Sequence, residues 1–259
     1  MEAYFSYPAE YYDEDYTVGV PDRGDIAFYK KYAVQKGSPV LELGCGTGRI
    51  LVPIAQTGIE CYGLDFNREM LGVCETKARA LDLKNVHLQV ASMENFRYDK
   101  QFSLIYIPFR SFQHLLSTED EIRCLQLAHE HLRQDGLLIL DVFAPKIDRI
   151  AGYGKQKEEW EKEFSRKNER TESTITRYYQ ARADLVKQVV DVTMKWEERD
   201  SRGGLVAKKE GNFKLRYIFR YELEHLLVRC GFDPKIYGNF DESPYDYVSG
   251  ETIAVCKKK

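Results

Sequence analysis

A chain of 259 residues with a formal net charge of −3 has room for one large α/β domain, or a domain with a sizeable insertion, and for a core that stands alone. The weak negative charge and the lack of a long basic run leave no footprint for nucleic acid, no apolar stretch approaches the length of a membrane span, and the first seven residues lack the basic-then-apolar pattern of a signal peptide. Six cysteines, at 45, 61, 74, 124, 230 and 256, are scattered without C-x-x-C spacing, which argues against a zinc site or redox pair and for a reduced, cytoplasmic compartment.

Residues 1–24 are rich in Tyr, Asp, Glu and Gly and carry only weak periodicity. Asp25 opens a helix that Gly37 caps. An α/β alternation follows. Strands are predicted at 39–43, 60–65, 86–91, 102–107 and 136–142, with helices at 49–57, 67–81 and 119–132 between them. Strands separated by helix-length segments imply right-handed crossovers and a parallel sheet. The rhythm breaks after Pro145: 146–168 is a charged stretch with no assigned element. From Arg170 to about Phe219 the pattern alternates, first over Ile175, Arg177 and Tyr179. The next run covers Val186, Gln188, Val190, Val192, Met194 and Trp196, and the last Phe213, Leu215, Tyr217 and Phe219. Antiparallel strands with one buried face are expected there. A helix at 221–230 and strands at 232–237 and 252–256 close the chain.

The most informative segment is Val40-Leu-Glu-Leu-Gly-Cys-Gly-Thr-Gly48. An apolar strand and an acid run into glycines at 44, 46 and 48, followed by a helix. Glycine lets a backbone turn tightly and a ligand approach it closely. Strand-to-helix turns of this kind hold nucleotide-type ligands in open α/β sheets. The spacing is not that of a P-loop, which needs G-x-x-x-x-G-K-[ST], nor of a dinucleotide fingerprint, G-x-G-x-x-G. Glu42 at the turn would repel a pyrophosphate and suits a ligand with a positive end. A second acid, Asp65, ends the next strand about 20 residues on, where a carboxylate accepts from ribose hydroxyls.

The E-x-G-x-G-x-G run resembles motif I of the class I S-adenosylmethionine-dependent methyltransferases. The resemblance implies a Rossmann-like, doubly wound α/β fold: a mainly parallel seven-stranded sheet with an inserted antiparallel β-meander. It implies an N-terminal helical lid at 1–36, a core at 37–145 and 219–259, and an acceptor-binding or dimer-forming meander at 146–218. The implied cofactor is S-adenosylmethionine, released as S-adenosylhomocysteine after an in-line methyl transfer to a small-molecule amine or hydroxyl, with neither nucleic acid nor membrane as partner. Gly44, Cys45 and Gly46 would lie against its methionine portion. Glu42 either meets the ammonium or caps backbone N–H groups. Phe66 would lie against adenine, and Met70 either joins it or packs in the core. Ser92 stands where many relatives carry an acid for the adenine amino group, with the Met93 N–H beside it. Pro108 and Phe109 would line the sulfur. His114 is either a general base for the acceptor or a helix-start histidine. Tyr12 and Tyr16 belong to the lid, where aromatic rings shield a sulfonium. Trp196 and Arg216 are candidates for a substrate wall or a dimer face. Ser92 also keeps open a second reading, a methyltransferase fold that binds the cofactor without transferring its methyl group.

Overall fold

A computed structural model describes residues 5–17, 22–153, 160–168, 171–246 and 248–259. Residues 1–4 and 18–21 of the expected lid, residues 154–159 of the charged stretch and Arg170 lie outside the described residues. In chain order the elements begin with β1 (Phe5–Ser6), α1 (Ala9–Thr17), α2 (Asp25–Lys36), β2 (Val40–Leu43), α3 (Leu51–Ala55) and β3 (Cys61–Asp65). Next come α4 (Arg68–Ala80), β4 (Val86–Val90), β5 (Phe102–Ile107), α5 (Thr118–His131) and β6 (Leu132–Phe143). Then α6 (Ile147–Tyr153), β7 (Glu161–Lys167), β8 (Thr174–Asp184), β9 (Val189–Arg199) and β10 (Leu205–Arg216) follow. The chain closes with α7 (Arg220–Arg229), β11 (Phe232–Tyr237) and β12 (Glu251–Lys258). They fall into two compact units, one of residues 23–145 and 217–259, the other of residues 1–22 and 146–216.

The first unit is built on a seven-stranded sheet in the order β11-β12-β6-β5-β2-β3-β4. The five strands from β2 to β6 pair in parallel, and β12 runs antiparallel to both β6 and β11. β2 and β5 are buried along their whole length, as continuous apolar runs in the middle of a covered parallel sheet should be. α4 starts where the Asn67 side chain accepts from the N–H groups of Glu69 and Met70; α5 starts where Ser117 accepts from Asp120. The order matters for function. From β2 the chain first proceeds to β3 and β4 on one side, then returns to β5 on the other. The connections therefore diverge at the carboxyl ends of β2 and β5, the switch point where open α/β sheets hold ligands.

The second unit is a five-stranded antiparallel sheet in the order β1-β10-β9-β8-β7. Strict alternation along β9 buries Val190, Val192, Met194 and Trp196. Three expectations are corrected here. The charged stretch after Pro145 contains α6 and β7; β7 is an edge strand, where charged side chains are tolerated on the open side. Val186 and Gln188 lie in the β8–β9 hairpin turn, with Val186 95% exposed and Gln188 at φ 56°. Tyr217 and Phe219 follow the end of β10, and Phe219 is the N-cap of α7.

The N-terminal region, weakly periodic in sequence, is ordered by a polar centre. Asp15 on α1 is fully buried. It accepts from the Tyr7 hydroxyl at 2.7 Å, the Trp196 indole N–H at 2.7 Å, Arg166 Nε at 2.8 Å and Arg177 at 3.3 Å. The Arg177 guanidinium lies 4.3 Å from the Phe164 ring centroid and 5.0 Å from that of Tyr16. Both arginines are nearly inaccessible to solvent, so their charges rest on Asp15 and on two further acids, Glu14 and Glu163.

Candidate active site at the carboxyl edge of the parallel sheet

Two loops flank the switch point, the glycine turn after β2 and residues 108–114 after β5. Gly44 has φ 75° and leaves room for nothing more: a Cβ there would stand 2.9 Å from Ser111 Cβ and 3.4 Å from Met93 Cε. Three loops thus converge on that one backbone position. Gly48 serves packing instead, since a Cβ would meet Cys74 Sγ on α4 at 2.4 Å.

Asp65 closes the turn from beneath. Its Oδ2 accepts the Gly46 N–H at 2.8 Å and its Oδ1 the Asn67 N–H at 2.8 Å. Burial pushes its carboxyl up to about 6, while those two N–H groups pull it down. Each oxygen keeps lone-pair capacity beyond these bonds. Glu42 lies on β2, 2% exposed, and its Oε2 has no hydrogen-bond partner among the described residues. Burial drives its carboxyl up to about 8, against the lowering influence of the Tyr106 hydroxyl and the Arg49 guanidinium. A buried acceptor without a donor costs on the order of 1–3 kcal/mol. This one lies on β2, two residues before Gly44 of the glycine turn.

The 108–114 loop is held in a costly shape. Phe109 and Arg110 are consecutive non-glycine residues at φ 56° and 66°, a conformation that costs about 1–3 kcal/mol for each residue unless its surroundings enforce it. Asp141, in the apolar run of β6, is fully buried. It accepts the Phe109 N–H at 2.8 Å and the Arg110 N–H at 3.2 Å, one on each oxygen, together with the Tyr29 hydroxyl at 2.6 Å. Burial raises its pKa, and Arg23, 3.8 Å away, opposes the rise. Glu251 on β12 pairs with both Arg23 and Arg110 at 2.6 Å. The Phe109 ring is flanked by two guanidinium groups, Arg49 at 4.4 Å and Arg23 at 4.9 Å from its centroid. Arg49 in turn grips Asp25 through two bonds, at 2.5 and 3.2 Å. Burial pushes Asp25 upward, but Arg49, Arg23 and the Ile26 N–H together outweigh it and hold the carboxyl below its usual range.

The residues singled out in the sequence divide among these surroundings. Glu42, Gly44, Cys45, Gly46, Asp65, Met93, Pro108 and Phe109 lie on the strand ends or loops of the switch region, with Cys45, Met93 and Pro108 buried. Phe66 is half-buried beside Asp65, and Met70 is 2% exposed on the first turn of α4. Ser92 is half-buried in a tight turn closed by the Asn95 N–H. His114 ends a 3-10 helix over Ser111–His114 and is half-buried. Tyr12 and Tyr16 lie on α1 in the meander unit, their rings 4.8 Å apart. Arg216 is buried at the end of β10. Trp196 requires a correction: it is 1% exposed and its indole N–H is committed to Asp15, so it forms the interior of the meander rather than a wall. Asp25, Arg49, Tyr106, Asp141 and Glu251 escaped the sequence reading. Asp141 did leave a signal, one carboxylate inside Leu-Leu-Ile-Leu-Asp-Val-Phe, a run too apolar to hold an unpaired charge.

The model of a methyltransferase domain family matches residues 40–136, from the first residue of β2 into β6. Over these residues the chain is similar to that methyltransferase domain family. The chain is 30% identical over 150 residues to a demethylmenaquinone methyltransferase of Lactobacillus johnsonii, an alignment covering 54% of this chain and 60% of that protein. It is 28% identical over 120 residues to a dTDP-3-amino-3,4,6-trideoxy-alpha-D-glucopyranose N,N-dimethyltransferase of Streptomyces venezuelae, covering 46% and 48%. The chain spans about half the length of the curated relatives it matches. Its fold is similar to that of the CcbJ methyltransferase from Streptomyces caelestis, with a TM-score of 0.79, 21% identity and coverage of 96% of this chain and 95% of that one. The likeness to that structure is one of fold. Among the described residues no helix is long and apolar enough to cross a membrane.

Proposed function

We propose that this protein transfers a methyl group from S-adenosylmethionine to a small-molecule nucleophile, an amine or a hydroxyl. The observation that supports the reading is a buried carboxyl, Glu42, whose Oε2 has no hydrogen-bond partner among the described residues, beside a glycine turn and a second carboxylate, Asp65, at the switch point of a segment similar to methyltransferase domains. The charges fit the group. Glu42 completes its hydrogen bonding on the ammonium, Asp65 accepts from the ribose hydroxyls with its remaining lone pairs, and Gly44 and Gly46, with Cys45 between them, let the methionine portion lie against backbone. Phe66 and Met70 face adenine, and Ser92 with the Met93 N–H meets its amino group. S-adenosylmethionine supplies an electrophilic methyl carbon on a sulfonium. Pro108 and Phe109 exclude water from that centre, and His114 accepts the proton that the acceptor nitrogen or oxygen gives up as its bond to carbon forms. Acceptor choice is assigned to Tyr12 and Tyr16 of the lid, to Arg216 and to the meander, which also offers a face for a homodimer; that assignment rests on the resemblance alone.

The sugar acceptor named for the Streptomyces venezuelae relative makes amino-sugar nucleotides the first compounds to try. Methyl transfer from radiolabelled S-adenosylmethionine to such amines and to hydroxyl compounds tests the reading. Turnover should fall about 10²- to 10⁴-fold in His114→Ala, the range of general base catalysis, with cofactor affinity kept, whereas Asp65→Ala should lose the cofactor itself. Full turnover in His114→Ala would remove the base role. The uncharged Ser92 favours one other reading, a binding module. Tight binding of S-adenosylmethionine with no transfer to any acceptor tried would favour it.

A further inference from the structure

We infer that Asp141 is the positioning residue of the active-site loop. It holds the Phe109–Arg110 turn in its left-handed conformation, so that the ring of Phe109 and the 3-10 helix ending in His114 are set against the glycine turn before any ligand arrives. The inference rests on the proposed methyltransferase reading for its consequence in cofactor binding, but not for the geometry.

Two adjacent non-glycine residues at positive φ persist only where something over-determines them. Beside the turn's own backbone bonds, from the Ser111 N–H to Pro108 at 3.1 Å and from the Gln113 N–H to Arg110 at 2.9 Å, a buried side chain supplies that constraint. Asp141 takes both N–H groups of the strained pair, one on each carboxylate oxygen, and nothing smaller than a carboxylate has two acceptors spaced to do so. The acceptor is itself immobile. It sits in the middle of a sheet, on β6 opposite Ile253 of β12, and the phenol of Tyr29 donates to it from α2. A second tie leads the same way. Gln113, fully buried in the 3-10 helix, accepts the Phe143 N–H through Oε1 at 2.9 Å, two residues beyond Asp141 on the same strand. β6 therefore grips the loop at both ends of its turn. The consequence reaches the glycine turn directly, because Ser111 follows the strained pair and is the residue whose Cβ would stand 2.9 Å from a Cβ on Gly44. Were 109–110 to relax to negative φ, the chain entering Ser111 would change direction, and the contact with Gly44 would be lost.

The charged groups around Asp141 do not offer the same hold. Arg23 stands 3.8 Å from its Oδ2 and is engaged by Glu251, and Arg110 places its guanidinium on Glu251 rather than on Asp141. The backbone of the turn is thus fixed by Asp141, and the side chains of Arg23 and Arg110 by Glu251.

The experiment compares wild type, Asp141→Asn, Arg110→Gly and the double variant by amide hydrogen exchange at Phe109 and Arg110 and by calorimetric titration with S-adenosylmethionine. Asparagine keeps one acceptor and turns an amide toward the second N–H, so Asp141→Asn should speed exchange at these two amides at least about tenfold and weaken S-adenosylmethionine binding roughly tenfold or more. Glycine adopts positive φ without support, so adding Arg110→Gly should restore at least about threefold of the lost affinity. A general loss of stability would not produce that rescue. Exchange in Asp141→Asn indistinguishable from wild type, or an affinity loss untouched by Arg110→Gly, would overturn the inference. If Asp141→Asn does not fold, the double variant is read against Arg110→Gly alone: a loss below about threefold supports the inference, and a loss of tenfold or more refutes it. If wild type itself binds no S-adenosylmethionine, the methyltransferase reading has failed, and the exchange rates still decide whether Asp141 holds the turn.

Discussion

The two units each withdraw a carboxylate from water, and they treat it in opposite ways. In the meander unit, Asp15 is 0% exposed and receives four donors: a phenol, an indole and two guanidinium groups. In the parallel-sheet unit, Glu42 is 2% exposed and one of its oxygens receives none. A buried charge with a full set of donors builds structure, as Asp15 does by joining α1 to β7, β8 and β9. A buried carboxylate left short of donors costs stability, and proteins keep such costs where a ligand will offset them. Partnerless buried atoms also occur among the described residues at Arg166 Nη2 in the meander and at Glu94 Oε2, so what sets Glu42 apart is its place two residues before the glycine turn.

The largest break in the comparison should come from the satisfied side. Asp15→Ala strands the Arg166 and Arg177 guanidiniums in the interior, and loss of one partner from a buried ion cluster costs about 3–5 kcal/mol. Its urea midpoint should drop steeply; a midpoint near that of wild type would mean the cluster is ornamental.

Glu42 should respond the other way and with pH. Its folded pKa of about 8 stands above the usual 4.5, so the folded state holds the proton more tightly than the unfolded chain. The corresponding stability is fully present below about pH 4.5 and is lost as the pH rises through 8. Glu42→Gln cannot ionise. It should match wild type near pH 5 and, without ligand, exceed it at pH 9 by on the order of a few kcal/mol. A Tm difference that does not vary with pH would show that Glu42 carries no such burden.

The smallest effect should be Trp196→Phe. It deletes the indole donor to the Asp15 carboxylate and shrinks a fully buried ring system, so a loss of about 2–3 kcal/mol is expected. A larger loss would mean that the four donors act as a cooperative unit.

The same contrast explains what could be read from the sequence. The parallel sheet and β9 were legible because burial repeats along the chain, as a continuous run in β2 and β5 or as every second residue in β9. The E-x-G-x-G-x-G turn was legible because glycine spacing is local. What escaped is non-local or polar. α1 carries a buried aspartate where periodicity looks for apolar residues, and β7 buries Arg166 within a charged edge strand. The hold on the 109–110 turn joins residues 31 and 32 positions apart, and Tyr29 reaches Asp141 across 112 positions. No spacing rule anticipates such partners. Only the oddity of a carboxylate in an apolar strand hints that one must exist.

On the proposed reading, Glu42 is kept short of donors for the positive end of a ligand. The most direct test is calorimetric titration of S-adenosylmethionine at pH 7 in buffers of different ionisation enthalpy, with wild type beside Glu42→Gln. With a carboxyl near pKa 8, roughly nine-tenths of the protein begins protonated at that pH, and an ammonium at Glu42 would expel the proton. Release approaching one proton per site in wild type and absent in Glu42→Gln is the predicted result. Equal proton release by the two proteins, with equal affinity, would contradict it and leave Glu42 as a structural carboxylate of the central strand.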